Sequence, residues 1–311
     1  MRLLQSILGF ALLSLVACGQ GTGTQTPSNS DGAAKRPLQI STVNYPLAWA
    51  AQQLAGEGAE VHFPAPADVD PAFWQPDLDT VAAYQQADLI VLNGANYARW
   101  RARVTLPDNR LVDTSSAFTD QLIPVDSGPV HTHGPDGGHS HGGLAFTVWL
   151  DLSLYTQQLQ SIAAALVLLL PERARDIAAR QEQLSDQLMA MDSELSGLGQ
   201  QLAGAPVLYS HPVYQYFNRR YRLNGRALHW EPDQLPSERD WSALEVLLKQ
   251  HPATLMIWED EPLSATRDRL TQLGVEVVVF RPLGNRWPHG DFGALMTENI
   301  ARFRAAAEKV P

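Results

Sequence analysis

Cysteine is almost missing from this chain: Cys18 is the only one in 311 residues. A single thiol cannot close an internal disulfide, nor can it build the multi-thiolate cage of a zinc ribbon or finger. Positive charge is also in short supply. Lys and Arg number 23 against 33 Asp and Glu, a net charge of −10. That excludes a broad basic face of the kind nucleic acids require. An acidic surface suits a protein that meets cations, and it equally serves solubility. No glycine-rich phosphate cradle is present, and no metalloprotease or hydrolase signature, so the commonest nucleotide-binding and hydrolytic classes lose their support. What remains is ample for two ordinary domains, each with its own core: 45% of the residues are hydrophobic and 18% charged.

The N-terminus carries the first positive signal. Arg2 precedes an apolar run over 3–16 that ends in Leu15-Val16-Ala17-Cys18-Gly19. A basic start, a short apolar stretch and small residues before a cleavage point describe a secretory signal, and the run is short for a membrane span. Leu-Val-Ala-Cys resembles the lipobox at which a bacterial lipoprotein is cut and acylated, which makes Cys18 the expected lipid attachment. An ordinary signal peptide with a chance cysteine is the alternative. Residue 19 is Gly rather than Asp, so retention in an inner membrane is not signalled. Residues 19–36 are rich in Gly, Thr, Ser, Gln, Asn and Pro and read as a flexible tether with nothing to bury.

The body alternates short apolar strands with helices, the signature of parallel α/β architecture. Strands are expected at 38–43, 60–63 and 87–92, with helices at 45–54 and 78–86. A helical apolar stretch covers 147–170. Pro171 then opens a long periodic segment whose apolar positions, from Ile177 through Leu184, Leu188 and Leu195 to Leu198, recur at three- and four-residue steps. About 30 helical residues would span roughly 45 Å, a strut joining two lobes. Strands at 206–209, 253–258 and 275–280 follow, with helices at 213–221, 241–249, 264–273 and 290–310. The expected organisation is a signal at 1–18, a tether at 19–36, an N-terminal α/β lobe at 37–170 with a loop at 130–143, a linking helix at 171–202 and a C-terminal α/β lobe at 203–311. Ligands of open parallel sheets sit beyond the strand carboxyl ends. Those ends are Asn44-Tyr45, Asn93-Gly94, Ser210-His211, Glu259-Asp260 and Arg281-Pro282.

The loop holds His131, His133, His139 and His141, four of the nine histidines within eleven positions, interleaved with Gly and Asp. Neutral imidazole is the commonest nitrogen ligand for zinc and its neighbours. The glycines favour loose, rapidly exchanging binding over one fixed tetrahedron; a solvated polar loop is the plainer reading. His211, at a strand carboxyl end, is a candidate to face a cleft; a structural histidine is the plainer reading. Glu259 and Asp260 are acids at a strand end.

Taken together, several segments resemble the metal-binding lipoproteins of zinc and manganese ABC transporters. They are Asn44-Tyr45-Pro46-Leu47, Val69-Asp70-Pro71 through Trp74-Gln75-Pro76, the 87–94 strand and turn, Trp149-Leu150-Asp151, Ser210-His211-Pro212 through Tyr216-Phe217, and Pro282-Leu283-Gly284. The resemblance implies two lobes, a rigid linking helix with small lobe motions, and an ion held by side chains from both lobes. Matched one by one, the family's ligand positions fall on Ala72, Thr147, His211 and Arg281, and only His211 keeps a metal donor. Either the site is rebuilt from donors such as Glu259, Asp260, Glu231, His229, Asp70 or the histidine loop, or the loop is the only metal site, or the cleft takes a chelated or non-metal ligand between Trp74, Trp149, Trp230 and Trp258. Packing in the core is the plainer role for those tryptophans. The resulting expectation is a binding protein and not an enzyme. It would be a monomer that captures a divalent ion, zinc above all, and hands it to an inner-membrane ABC permease with its ATPase. A metal buffer or chaperone working through the loop is the alternative.

Overall fold

The computed structural model describes residues 36–125, 131–132, 138–139 and 143–310. Cys18, the signal, the tether through residue 35, His133 and His141 lie outside the described residues. His131 and His139 are described only by their backbone.

The first half opens with β1 (Leu38–Thr42), α1 (Tyr45–Ala55), β2 (Ala59–His62), α2 (Leu78–Gln86), β3 (Leu89–Leu92) and β4 (Leu111–Asp113). The four strands form one parallel sheet in the order β2-β1-β3-β4. Every residue of β3 is buried, so a continuous apolar run, not an alternating one, marks this central strand. Asn44 ends β1 and caps α1: its side chain accepts from the Leu47 N–H, and Pro46 sits where a missing donor costs nothing. Two small antiparallel ladders follow, β5 (Pro124–Val125) with β8 (Gly143–Leu144), and between them β6 (His131–Thr132) with β7 (Gly138–His139).

Two helices join the halves. After a single 3₁₀ turn at Val148–Leu150, α3 (Leu152–Leu169) starts from an Asp151 cap and packs against α1 and α4. Its length and apolarity pass for a membrane span, but the face with Leu154, Tyr155, Leu159, Ile162 and Leu166 is fully buried in the protein. A second 3₁₀ turn, Pro171–Arg173, leads into α4 (Ala174–Leu202), 29 residues that rise about 44 Å. The predicted apolar stripe is its buried face, with Ile177, Leu184, Leu188, Leu195 and Leu198 inward.

The second half repeats the first: β9 (Pro206–Tyr209), α5 (Gln215–Arg220), β10 (Asn224–Ala227), α6 (Glu238–Gln250), β11 (Leu255–Trp258), α7 (Ser264–Gln272), β12 (Glu276–Val279) and α8 (Phe292–Ala307). Its sheet is again all parallel, in the order β10-β9-β11-β12. The α/β architecture of two sheet-and-helix lobes with one long joining helix is therefore as expected. The two edge strands β4 and β10 were not. In β10 a glycine is required: a Cβ on Gly225 would lie 2.1 Å from the Tyr209 ring. Trp230, Trp241 and Trp258 pack ring on ring in the outer core of this lobe, 4.7 and 6.3 Å between centroids from Trp230. Trp230 and Trp258 are thus core residues rather than walls of a stacking pocket.

Candidate functional site

In each sheet the chain runs outward in opposite directions from one pair of central strands, β1/β3 in the first lobe and β9/β11 in the second. A crevice opens where the order reverses, beyond the carboxyl ends of that pair. His211 follows β9 and Glu259 follows β11, so the two polar groups of the second lobe stand at its switch point. They share a cavity of about 240 Å³ between the lobes. The first lobe contributes Asp70, Tyr97, Phe146 and Trp149 to its walls, and the second contributes Val213 and the turn 282–285.

His211 is 1% exposed. The β9–β10 pairing continues past the strands: Leu228 N–H donates to Tyr209 O and Trp230 N–H to Ser210 O, both at 2.8 Å. That extension brings 229–231 alongside His211. Glu231 Oε1 lies 3.6 Å from His211 Nε2, and the exposed His229 ring stands edge-on at 6.0 Å. At that distance the carboxylate neighbours the imidazole without hydrogen-bonding to it. His211, His229 and Glu231 are thus grouped beside the end of β9. Among the described residues no three His, Cys, Asp or Glu side chains converge closely enough to hold an ion.

The other three family positions have new employment. Ala72 is fully buried, its N–H accepted by the Asp70 carboxylate at 2.8 Å. Thr147 Oγ donates to Val213 O across the lobe boundary at 2.5 Å. Arg281 is turned out of the cleft. Its Nε and Nη2 donate to Asp260 Oδ1 at 3.0 and 2.8 Å, its guanidinium covers the Trp287 ring at 4.3 Å, and Asn299 of α8 clamps its backbone through both N–H and C=O. So Arg281 brings no charge into the cavity, and Asp260 is engaged with it outside the cleft. Glu259 lines the cavity.

Packing makes the walls rigid. Tyr97 meets Phe146 and Trp149 edge to face at 5.4 and 5.7 Å. Burial, with Asp70 nearby, holds the Tyr97 phenol well above its ordinary value, so it is a neutral hydroxyl and not a phenolate donor. Tyr214, behind His211, is raised likewise by burial and then by Glu259. Phe146 is fixed from beneath by amides at the first lobe's switch point: Asn93 Nδ2 donates to Phe146 O at 2.9 Å, and Asn44 Nδ2 donates to Asn93 Oδ1 at 3.0 Å. On the opposite wall Leu283 holds a left-handed backbone, φ +60°, a strain of about 1–3 kcal/mol. It is sustained because Trp149 Nε1 donates to Pro282 O at 2.6 Å and Tyr45 N–H to Gly284 O at 3.0 Å.

More stitches close the ends of the cleft. Asn285 Nδ2 donates to Pro66 O and Val69 O at 2.6 and 2.8 Å, and Tyr216 Oη donates to Ala145 O at 3.0 Å. Arg220 of α5 pairs with Asp192 of the long helix, which pushes the guanidinium up, and reaches Asp151 at 3.7 Å. Sequence reasoning missed Tyr97 and Phe146, since neither lies in a polar motif; only their place just after β3 and just before Thr147 hints at the cleft.

Two lobes with parallel sheets, one long joining helix and a cavity between them holding a buried imidazole define a two-lobed ligand-binding architecture. Residues 40–306 match the family model for ZnuA, zinc-uptake complex component A, periplasmic, and the chain belongs to that family. It is 22% identical over 285 residues to the high-affinity zinc uptake system protein ZnuA of Bacillus subtilis, covering 89% of this chain and 87% of that one. It is 25% identical over 279 residues to the zinc-binding lipoprotein AdcA of Streptococcus pneumoniae, covering 87% of this chain and 53% of the relative. The Zn(II)-bound ZnuA-like domain of Streptococcus pneumoniae AdcA superposes with a TM-score of 0.74 at 20% identity, over 88% of this chain and 99% of that one. That likeness establishes the fold.

Proposed function

We propose that this chain is the extracytoplasmic substrate-binding component of a zinc ABC uptake system. It captures zinc in the interlobe cleft and delivers it to a membrane permease driven by a cytoplasmic ATPase. The observation that carries the reading is His211: a buried imidazole, backed by Glu231, at the switch point of the second lobe and facing the first. Family membership and the zinc named for the relatives above point the same way. Capture needs ordered donors and no bond-making, so the chain acts by binding and not by catalysis. Glu259, His229 and Asp70 are further candidate donors, and the histidine loop His131, His133, His139 and His141 supplies imidazoles that load or exchange ions. Export through residues 1–18 and acylation at Cys18 would hold the protein at the membrane, the tether setting its reach. It works as a monomer.

The test is a zinc titration of protein beginning at residue 19, with calorimetry at neutral pH. One His211-dependent site is expected, and deleting 130–143 is expected to lower capacity while leaving that site. No uptake of any divalent cation ends the proposal. Loss of all binding on deleting 130–143 moves the function to the loop.

A further inference from the structure

The cavity, at about 240 Å³, is roomier than a single bare ion needs. Of the positions that the resemblance assigns to ligands, Ala72 carries only a buried methyl, the Thr147 hydroxyl is committed to Val213, and Arg281 pairs with Asp260. Besides its polar groups the cavity is walled by rings and aliphatic side chains: Tyr97, Phe146 and Trp149 on one side, Val213 and Leu283 on the other. Filling it with the water shell of a hydrated cation would set that water against apolar surface, whereas an organic skeleton would cover the surface and gain by doing so.

We propose that the cleft takes its metal as a chelate, a divalent ion already carrying one amino-acid-sized organic ligand, with His211 completing the coordination sphere. This rests on the uptake reading and specifies its substrate. The chelator supplies the donors that Ala72, Thr147 and Arg281 no longer do, so one protein imidazole suffices. Its carbon skeleton lies against Tyr97, Phe146 and Trp149. Two acids, Asp70 and Glu259, also line the cavity. They favour a complex of positive or zero net charge and disfavour anionic chelates such as those of tricarboxylates. Rigid walls serve this cargo: a preformed pocket recognises the shape of an organic ligand, while a bare ion is recognised by donors that close on it.

The probes are zinc alone, zinc with equimolar L-histidine, and zinc with citrate, offered to the protein beginning at residue 19 and followed by native mass spectrometry and calorimetry. The expected result is a ternary complex whose mass gain is one zinc plus one histidine. Zinc–histidine should bind at least tenfold more tightly than zinc at matched free-ion concentration, and zinc citrate should not be retained. The inference is overturned if wild-type protein retains zinc without histidine and histidine acts only as a competitor. In that case a site that still depends on His211 leaves the uptake reading standing. If neither zinc nor zinc–histidine binds, both fall.

Discussion

The two lobes share one strand order, yet they treat their switch points in opposite ways. In the first lobe the crevice beyond β1 and β3 is filled by carboxamides: Asn44, Asn93 and Gln158 are all fully buried and bond to one another and to Thr114. In the second lobe the matching positions beyond β9 and β11 carry an imidazole and a carboxylate, His211 and Glu259, which face the cavity. A neutral amide carries both donors and acceptors that neighbours can engage, so it helps lock a backbone in place. An ionisable group is kept at such a place at a desolvation cost, and that cost is characteristic of sites that bind. One lobe has become the anvil on which the other's site works. The amides hold Phe146 and, through it, the wall opposite His211.

This contrast can be broken from either side. His211→Ala is expected to weaken cleft zinc binding by more than the roughly 10- to 100-fold typical for loss of an outer partner. Thermal unfolding of the apo protein should change little, which calorimetry and melting curves together would show. Asn93→Ala should do the reverse. It orphans the buried Asn44 amide and the Phe146 carbonyl, a cost of about 2–4 kcal/mol in denaturant unfolding, with a much smaller effect on affinity. Should Asn93→Ala abolish binding while stability holds, the division of labour is wrong. Arg281→Gln comes next: because the guanidinium is paired with Asp260 outside the cleft, zinc affinity should move less than about threefold, well under the tenfold that 1.4 kcal/mol would give. A large gain in affinity would place its charge inside after all.

The smallest effect concerns Asp77, which caps α2 and does not line the cavity. Hydrogen bonds from Thr80, side chain first and then backbone, hold its carboxyl below the ordinary range. A lowered folded value means stability that is present above the unfolded value and lost as pH falls through the folded one. Asp77→Ala should therefore melt below the wild type at pH 7, and the gap should close on acidification below about pH 3.9.

The central strands were legible because full burial writes them as unbroken apolar runs, as in Leu89–Leu92 and Leu255–Trp258. The long helix was legible because its stripe persists over eight turns. The edge strands were not. Asn224–Ala227 is short, largely exposed and polar, and only its pairing with β9 makes it a strand. At the site, His211 stood out as an imidazole at a strand end. The fate of Arg281 could not be read, because its partners Asp260 and Trp287 come from two separate loops that meet only after folding. Trp230 and Trp258 misled for a related reason: an aromatic near a strand end looks the same in sequence whether it turns into a cleft or into the core.

The short hydrogen bond from Thr147 to Val213 fastens one lobe to the other through protein alone. A seam that needs no cargo keeps the two halves at the same spacing whether the cavity is loaded or empty. A partner meeting this protein would then have to sense the load by something other than outline, such as the charge that the cargo brings to the cleft.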